Sequence, residues 1–584
     1  MFCGAMTLPA PSQEPAYDWT SPVSVRRRRW VLPSLAADPP AQPTFADLIA
    51  LRRGIQDLEA FLQPRISWNM RLDIIGQMRN LVPAAAAFAH AVRQGKKFGV
   101  FGDYDVDGAT STALALRWLS LAGRPDSVFY IPDRMKEGYG PNVPAVRKLI
   151  EEEKIGFLLV LDSGTSAFEP LEVARSADIP VVILDHHTWQ GRDPYGLLVN
   201  PKHPDDRSGL AHLCTVGIVF VFLAMVNKLM REVDPAFVEP DLMDLTGIVA
   251  LGTVADVVPL TGLNRALVHR GLSGLHRIPG IAALIEAGQI DTVDAKAIGF
   301  RIAPCINAAG RIDDTRLGTL LLTLDDKEAV GELAQKLTEL NHQRRDRQRA
   351  MVDSAAKQIA EGTFKDDPVI VIYDESFHPG IVGLVASRVK DMTDKPAVVI
   401  GEAGKGSCRA PDGYHIGDAV IAALAASIII HGGGHAAAAG LTVDPARIDD
   451  LRSFLAEKLV PIERMDFRVD AVTKVGEIRA TDVWSIAELE PLGQGNPEPV
   501  VVIEDAIVAS VAWVKDQHLK FRLEGRSGGS IDGILFSARE TPIGPHLAQA
   551  VGRQVMMAGQ VKVDSWNGAD RVQIVPDDLV LIDA

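Results

Sequence analysis

The sequence is short of cysteine, of long apolar runs and of positive charge, and each shortage removes a class of protein. Its 584 residues include four cysteines, Cys3, Cys214, Cys305 and Cys408, far apart and without a CxxC pair. A disulfide framework and a thiolate metal site are excluded, so reduced thiols are expected. The longest apolar stretches, around Val216 to Val226 and Ala419 to Ile430, reach about a dozen residues against the roughly 18 or more that a membrane helix needs. No membrane span is predicted. Residues 1–44 are rich in proline and carry the basic run Arg26 to Arg29, but no apolar stretch precedes a small-residue cleavage site. No secretory signal is read there, and a cytoplasmic location is expected. Lys and Arg number 60 against 75 Asp and Glu, a net charge of −15. That balance excludes nonspecific coating of nucleic acid, and any nucleic-acid groove must be local.

What is present reads as a multidomain globular protein. Hydrophobic residues make up 47% and charged residues 23%, and the length exceeds what one core supports. Residues 1–44 are expected to be a flexible tail. Residues 45–326 alternate short apolar runs with amphipathic stretches, the pattern of βα units around a parallel sheet. Strands are predicted at Phe98 to Phe101, Ser127 to Ile131, Phe157 to Leu161 and Pro180 to Leu184, each ending in a polar cluster. Ligand sites gather beyond such strand ends. Residues 327–361 lack proline and carry the cluster Arg344, Arg345, Asp346, Arg347, Arg349, which predicts a long joining helix, either solvated or facing nucleic acid. A second α/β lobe follows over 362–465, with a glycine-rich turn at Gly432 to Gly434. Residues 466–584 hold β-branched runs, among them Val500 to Ile503, Ile507 to Val514, Leu519 to Leu523, Gln554 to Val563 and Arg571 to Val575, separated by turns. A small β-barrel fits them.

Four clusters carry chemistry. Asp103, Asp105 and Asp107 lie within five residues between a predicted strand and a helix from Ala109, and such a loop needs cations or helix N-terminal amides to offset its repulsion. The spacing imitates an EF-hand, but the twelfth position is Leu114 where calcium needs a bidentate glutamate, so calcium is rejected. Asp162 ends a second strand. The triplet Asp185-His186-His187 ends a third, where adjacent histidines suggest ligation or phosphate contact. Asp256 follows a helix-like apolar stretch. Carboxylates with imidazole suit two Mn²⁺ or Mg²⁺ ions better than one zinc, and such a pair can activate water and stabilise the leaving oxygen of a phosphodiester. Gly404-Lys405-Gly406-Ser407 lacks the register of a phosphate loop, which removes nucleotide hydrolysis.

In this order the Asp105/Asp107 loop, Asp162, Asp185-His186-His187 and Asp256 resemble the four motifs of the DHH phosphoesterase superfamily. Gly310-Arg311, His378 to Gly383, Gly406 to Arg409 and His431 to His435 resemble the associated DHHA1 lobe, and Pro491 to Pro499 resembles the lead-in to an oligonucleotide-binding (OB) barrel. The resemblance implies two α/β lobes, DHH and DHHA1, joined by the long helix and followed by an OB-fold. It implies Asp105, Asp107, Asp162, His186 and Asp256 as metal ligands, with Asp103 close by and His187 facing the scissile phosphate. Arg311, Ser407 and Arg409 would hold a terminal 5′ phosphate, and His435 would contact substrate. The implied activity is a two-metal exonuclease cutting single-stranded DNA from its 5′ end to mononucleotides, in repair and recombination; the alternative is a DHH phosphatase or phosphodiesterase on short oligonucleotides or small phosphoesters. A monomer is implied, with a single-strand-binding protein and a RecQ-type helicase as partners. One departure stands out: Phe101 occupies the position where many superfamily members carry histidine.

In the barrel, Trp513, Phe521, Phe536 and Trp566 interleave with Lys515, Lys520, Arg522 and Lys562, a pattern suited to stacking single-stranded bases. Phe521 and Phe536 are expected in the barrel core. Cys408, between the proposed phosphate anchors, is expected to line their pocket and to block it on alkylation.

Overall fold

The computed structural model describes residues 24–26, 28–133, 136–362, 367–459, 466–565 and 570–582. Contacts divide the chain into two units: Gln63–Arg349 with Glu490–Pro497, and Met1–Leu62, Ala350–Leu489 and Glu498–Ala584.

The first unit is built on a five-stranded, all-parallel sheet in the order Val128–Tyr130, Phe98–Phe101, Phe157–Leu161, Val181–Leu184, Leu197–Val199. Three of these strands, FGVF, FLLVL and VVIL, are buried at every residue. Such continuous apolar runs are what a parallel sheet covered on both faces requires. On one face Phe88, Phe98 and Phe157 pack within 5.7 Å of one another between ring centroids. Trp118 joins Phe88 at 5.6 Å and donates its indole N–H to Asn227 Oδ1 at 2.8 Å. Phe101 is fully buried on the other face, stacked on Tyr130 at 5.6 Å. The residue replacing the family histidine therefore belongs to the core.

The long helix runs unbroken over Lys327–Glu361. Arg344, in its charged cluster, is neither solvated nor free for nucleic acid: it is buried and donates to Asn341 Oδ1 and Gln348 Oε1. Arg345 donates to the Phe300 carbonyl.

The second unit contains two sheets of distinct kind. One has the order His431–His435, Ala438–Thr442, Lys405–Arg409, Ala397–Ile400, Ile370–Tyr373, antiparallel except for its last pair. The three glycines at 432–434, expected to turn, lie instead in an edge strand. Two of them allow close approach: a Cβ on Gly434 would lie 2.4 Å from the Ala438 carbonyl oxygen, and one on Gly432 2.5 Å from Ile429. The other sheet closes. Val501–Val514 pairs with both His518–Gly525 and Gln554–Asp564, and Ser530–Leu535 and Arg571–Ile582 complete a five-stranded barrel, to which Ala471–Lys474 adds in parallel. The first two predicted runs are one strand, carried past Glu504 and Asp505 by an irregularity in register. Phe521 fills the barrel, its ring occupying the space that a Cβ on Gly533 would need. Phe536 does not. It follows Leu535, whose inward side chain leaves the next residue facing out, and at 53% exposure it meets His518 edge-on. Trp513 is 42% exposed under the Arg539 guanidinium, and Trp566 lies outside the described residues.

Residues 24–62 correct the expected boundaries. Trp30–Val31 pairs in parallel with Phe467–Arg468, and Trp30, 4% exposed, donates its indole N–H to Asp578 Oδ2 at 3.0 Å. Val25 N–H donates to the Leu579 carbonyl and Arg26 N–H to Asp578 Oδ1. This part of the expected flexible tail is strapped to the barrel by a buried aromatic and a buried carboxylate. The Phe45–Arg52 helix, capped by Thr44 and Asp47, donates its Ala46 N–H to the Ser485 hydroxyl oxygen. It belongs to the second unit, and the sheet-bearing unit starts at Gln63.

Candidate metal centre

Three adjacent parallel strands end in the charged clusters, and sheet order brings those clusters together. After Phe98–Phe101 the chain turns through Asp103 to Asp105, which caps the Val106–Leu121 helix by accepting from Gly108 N–H at 3.0 Å. Gly108 has no alternative, since a Cβ there would lie 2.6 Å from the Asp103 carbonyl oxygen. Asp107, 1% exposed, points away from its own helix and accepts from Thr215 N–H at 2.7 Å and Val216 N–H at 2.8 Å, the first amides of the Thr215–Val233 helix. Helix N-terminal amides stabilise negative charge. The Thr215 hydroxyl donates to Asp162 Oδ1 at 2.8 Å, so one residue ties two clusters together. Asp162 itself adopts a left-handed φ of 58°, which aspartate tolerates better than most residues.

Asp185 does not face the other carboxylates. It accepts from Thr165 N–H and hydroxyl, from His186 and His187 N–H, and sits 2.8 Å from His187 Nδ1. Burial alone would raise its pKa, but His187 and the Thr165 donors outweigh that and hold it below the usual carboxylate range. It orients the two histidines. His186 Nε2 then lies 3.6 Å from Asp162 Oδ1 and 3.9 Å from Asp107 Oδ2, and His186 Nδ1 lies 3.7 Å from Asp256 Oδ2. Asp256 arrives from the end of the Thr246–Ala255 helix.

The electrostatics of this cluster are those of a cation site. Burial, then the Asp105 charge, pushes Asp107 up to about 6; burial, then Asp107 and Asp105, pushes Asp256 up to about 9. Asp162 is raised well above its ordinary value, by burial first and Asp107 second. Burial, then His187 and Lys202, lowers His186 to about 3, which keeps its imidazole neutral and fit to ligate. Among the described residues the ion pairs of Asp107, Asp162 and Asp256 are with His186, not with lysine or arginine. His186 Nδ1 and Asp256 Oδ2 are buried without a hydrogen-bond partner. Buried polar atoms left in this state cost about 1–3 kcal/mol each, and a divalent cation would satisfy them. The donor sets Asp162/His186/His187, Asp107/His186/Asp256 and Asp103/Asp105/Asp162 each bring ligand atoms within 4.8 Å of one another. Neighbouring sets sharing Asp162 and His186 suit a pair of hard or borderline ions, Mn²⁺ or Mg²⁺.

Family models match three segments: the DHH family N-terminal domain over residues 97–253, the DHHA1 domain over 366–460, and the RecJ OB domain over 469–578. A protein of Escherichia coli named single-stranded-DNA-specific exonuclease RecJ is 30% identical over 93% of this chain and 97% of its own length. The chain belongs to the RecJ family. The RecJ of Bacillus subtilis is 32% identical over 86% of this chain, which spans 63% of that longer protein. A crystal structure of Thermus thermophilus RecJ with Mn²⁺ superposes with a TM-score of 0.76 at 28% identity, covering 92% of this chain and 76% of that one. A second manganese-bound RecJ structure has a TM-score of 0.56 at 32% identity, covering 65% of this chain and 94% of that one.

The candidate site residues divide between the units. Asp103, Asp105, Asp107, Asp162, His186, His187 and Asp256 converge in the first. Arg311, at the end of the Ala303–Ile312 helix, lies in the same unit beside Gly310, where a Cβ would lie 3.0 Å from the Tyr104 carbonyl oxygen. Ser407, Arg409 and His435 are in the second unit. A Cβ on Gly383 would lie 3.2 Å from an Arg409 guanidinium nitrogen and 3.3 Å from Ser407 Oγ, so the glycine lets the helix beginning at Val382 approach both side chains. His435 is exposed on the edge strand. Cys408 is not in that group. Strand alternation turns it to the opposite face, into the core of the lobe, where burial pushes its thiol up to about 12.

Sequence reasoning missed four residues. Thr215 bonds both Asp107 and Asp162; Thr165 and Asn200 brace Asp185 and the His187 carbonyl. Tyr139 donates its hydroxyl to the Asp162 carbonyl at 2.8 Å and lies 3.1 Å from His187 Nδ1. Gly138-Tyr139-Gly140 was a usable signal, an aromatic between two turn glycines; an isolated threonine offered none.

Proposed function

We propose that this protein degrades single-stranded DNA from a 5′ end, releasing mononucleotides. The observation that carries the reading is His186, buried and without a hydrogen-bond partner at Nδ1, held among Asp107, Asp162 and Asp256. Asp105, Asp107, Asp162, His186 and Asp256 hold two divalent cations, which supply water activation and stabilisation of the leaving oxygen. Asp103 shapes the loop. His187, held at Nδ1 by Asp185 and with Nε2 3.2 Å from the Tyr139 hydroxyl, faces the scissile phosphate; burial lowers its pKa, but the Asp185 hydrogen bond and charge outweigh that and raise it. In the DHHA1 lobe Ser407 and Arg409 take the terminal 5′ phosphate, a group suited to a hydroxyl and a guanidinium fork; Arg311 is a phosphate contact of the metal-bearing unit, and His435 a substrate contact. The barrel, with exposed Trp513 and Phe536, supplies base-stacking surface.

Among the described residues no helix is long and apolar enough to cross a membrane, in keeping with the proposed cytoplasmic location. The family reading adds a monomeric state and, as partners, a single-strand-binding protein and a RecQ-type helicase. End-labelled single-stranded DNA, with and without a 5′ phosphate, tests the reading under Mn²⁺ or Mg²⁺ titration. Mononucleotide release from the 5′ end, favoured by the phosphate and abolished by chelator, is expected. Equal digestion from both ends, or digestion in chelator, overturns it.

A further inference from the structure

Asp256 has an unfavourable local setting for an anion. It closes the C-terminal end of the Thr246–Ala255 helix, where the backbone presents carbonyls and the helix dipole opposes an anion. The next residue makes matters worse. Val257 has φ of 59°, a left-handed conformation that a β-branched side chain resists at about 1–3 kcal/mol. Its side chain is 66% exposed, so little packing offsets that strain. Something beyond Val257 must hold the turn.

The holder comes from more than 200 residues later in the chain. The Gln494 carbonyl accepts from Leu260 N–H at 2.7 Å. Gly495, at φ of 74°, lies so close that a Cβ would come 3.0 Å from Pro259 Cβ, and a Cβ on Gly493 would come 2.8 Å from Leu260 Cδ1. The segment is braced from behind. Arg265, 2% exposed, donates to the Pro491 carbonyl at 3.2 Å and the Glu490 carbonyl at 2.9 Å. Asn496, 1% exposed, donates to the Pro491 carbonyl at 2.9 Å, and Asn264 holds the Pro259 carbonyl at 3.0 Å. Glu490–Pro497 groups with the metal-bearing unit although the chain on both sides of it belongs to the other.

We infer that the Pro491–Pro497 segment is a positioning clamp for Asp256: it fixes Pro259 and Leu260, and so keeps the strained Asp256–Val257 turn aimed at His186. The signature that reads in sequence as the lead-in to the barrel thus acts on the metal centre. The inference rests on Asp256 being a metal ligand, and its test separates the two.

Calorimetric titration of the full chain with Mn²⁺ provides a readout independent of turnover. Gly495→Ala is expected to weaken binding about tenfold, the lower end of the effect of residues that orient ligands. Gly123→Ala carries the same left-handed strain, at φ of 82° with nothing within 4 Å, and is expected to bind as wild type. Adding Val257→Gly to Gly495→Ala removes the strain that the clamp opposes, and part of the affinity returns. Should Gly495→Ala fail to fold, Gly493→Ala replaces it, because its Cβ meets the flexible end of a leucine. Wild-type affinity in the clamp variant, beside weakened binding in Asp256→Asn, overturns the clamp and leaves the ligand standing. Wild-type affinity in Asp256→Asn overturns the ligand. Equal losses in Gly495→Ala and Gly123→Ala, or a double variant no tighter than Gly495→Ala, also overturn the clamp.

Discussion

Removing one ionisable carboxyl from the metal centre should stabilise the protein when no metal is bound. In Asp256→Asn the side chain keeps its size and loses its ionisation. An unfolded aspartate is ionised at pH 7, about three pH units above its ordinary value near 4. Folded Asp256, raised to about 9 by burial and by Asp107 and Asp105, keeps its proton at that pH. At about 1.4 kcal/mol per pH unit the difference costs the metal-free fold up to about 4 kcal/mol, which asparagine does not incur. For a unit of roughly 300 residues that corresponds to a rise of up to about 6 °C in the apparent Tm. The pH dependence has a definite sign. Between about 4 and about 9 the folded carboxyl binds more proton than the unfolded one, so metal-free stability falls as pH rises through that window. The variant should show a shallower slope. Mn²⁺ narrows the gap, since a cation at one hundred times its Kd adds about 2.7 kcal/mol to a protein that binds it, and the variant has lost a ligand. Scanning fluorimetry with and without Mn²⁺, from pH 5 to 9, measures all three effects. A metal-free variant that melts with wild type at pH 7, and gains as much from Mn²⁺, would refute the electrostatic account.

Thr215→Val deletes the hydroxyl on Asp162 while leaving the main-chain donors to Asp107; Mn²⁺ affinity should fall about 10- to 100-fold with the far-UV spectrum unchanged. Cys408, buried and pushed up to about 12, should resist iodoacetamide in the native protein and react after denaturation, as peptide mass spectrometry would show. Trp30→Ala removes a buried indole and leaves Asp578 short of a donor; the barrel-bearing unit should lose about 3–5 kcal/mol in urea unfolding, with Mn²⁺ affinity retained.

Much of this protein is legible along one dimension because its signals are periodic. Fully apolar runs ending in acid, as at Leu161-Asp162 and Leu184-Asp185, announce buried parallel strands with polar tips. The unbroken helix from Lys327 to Glu361 follows from the absence of proline. Misreadings fell where a neighbour distant in sequence decides the outcome. The Gly432–Gly434 stretch looked like a turn because glycine permits one; pairing with Ala438–Thr442 makes it a strand. Trp30 lay in a proline-rich stretch whose composition suggested disorder, and its partner Asp578 is 548 residues away.

The sequence by itself determined which side chains end which strands, and therefore that carboxylates and imidazoles would stand at strand ends: side-chain type and strand period are local properties. Only the tertiary structure decided their duties. Asp185 became a support because Thr165 lies against it, Asp107 turned to the amides of a helix more than 100 residues on, and Cys408 went into the core by the parity of its strand. Those assignments depend on strand order and on long-range donors, and spacing along a chain carries no record of either.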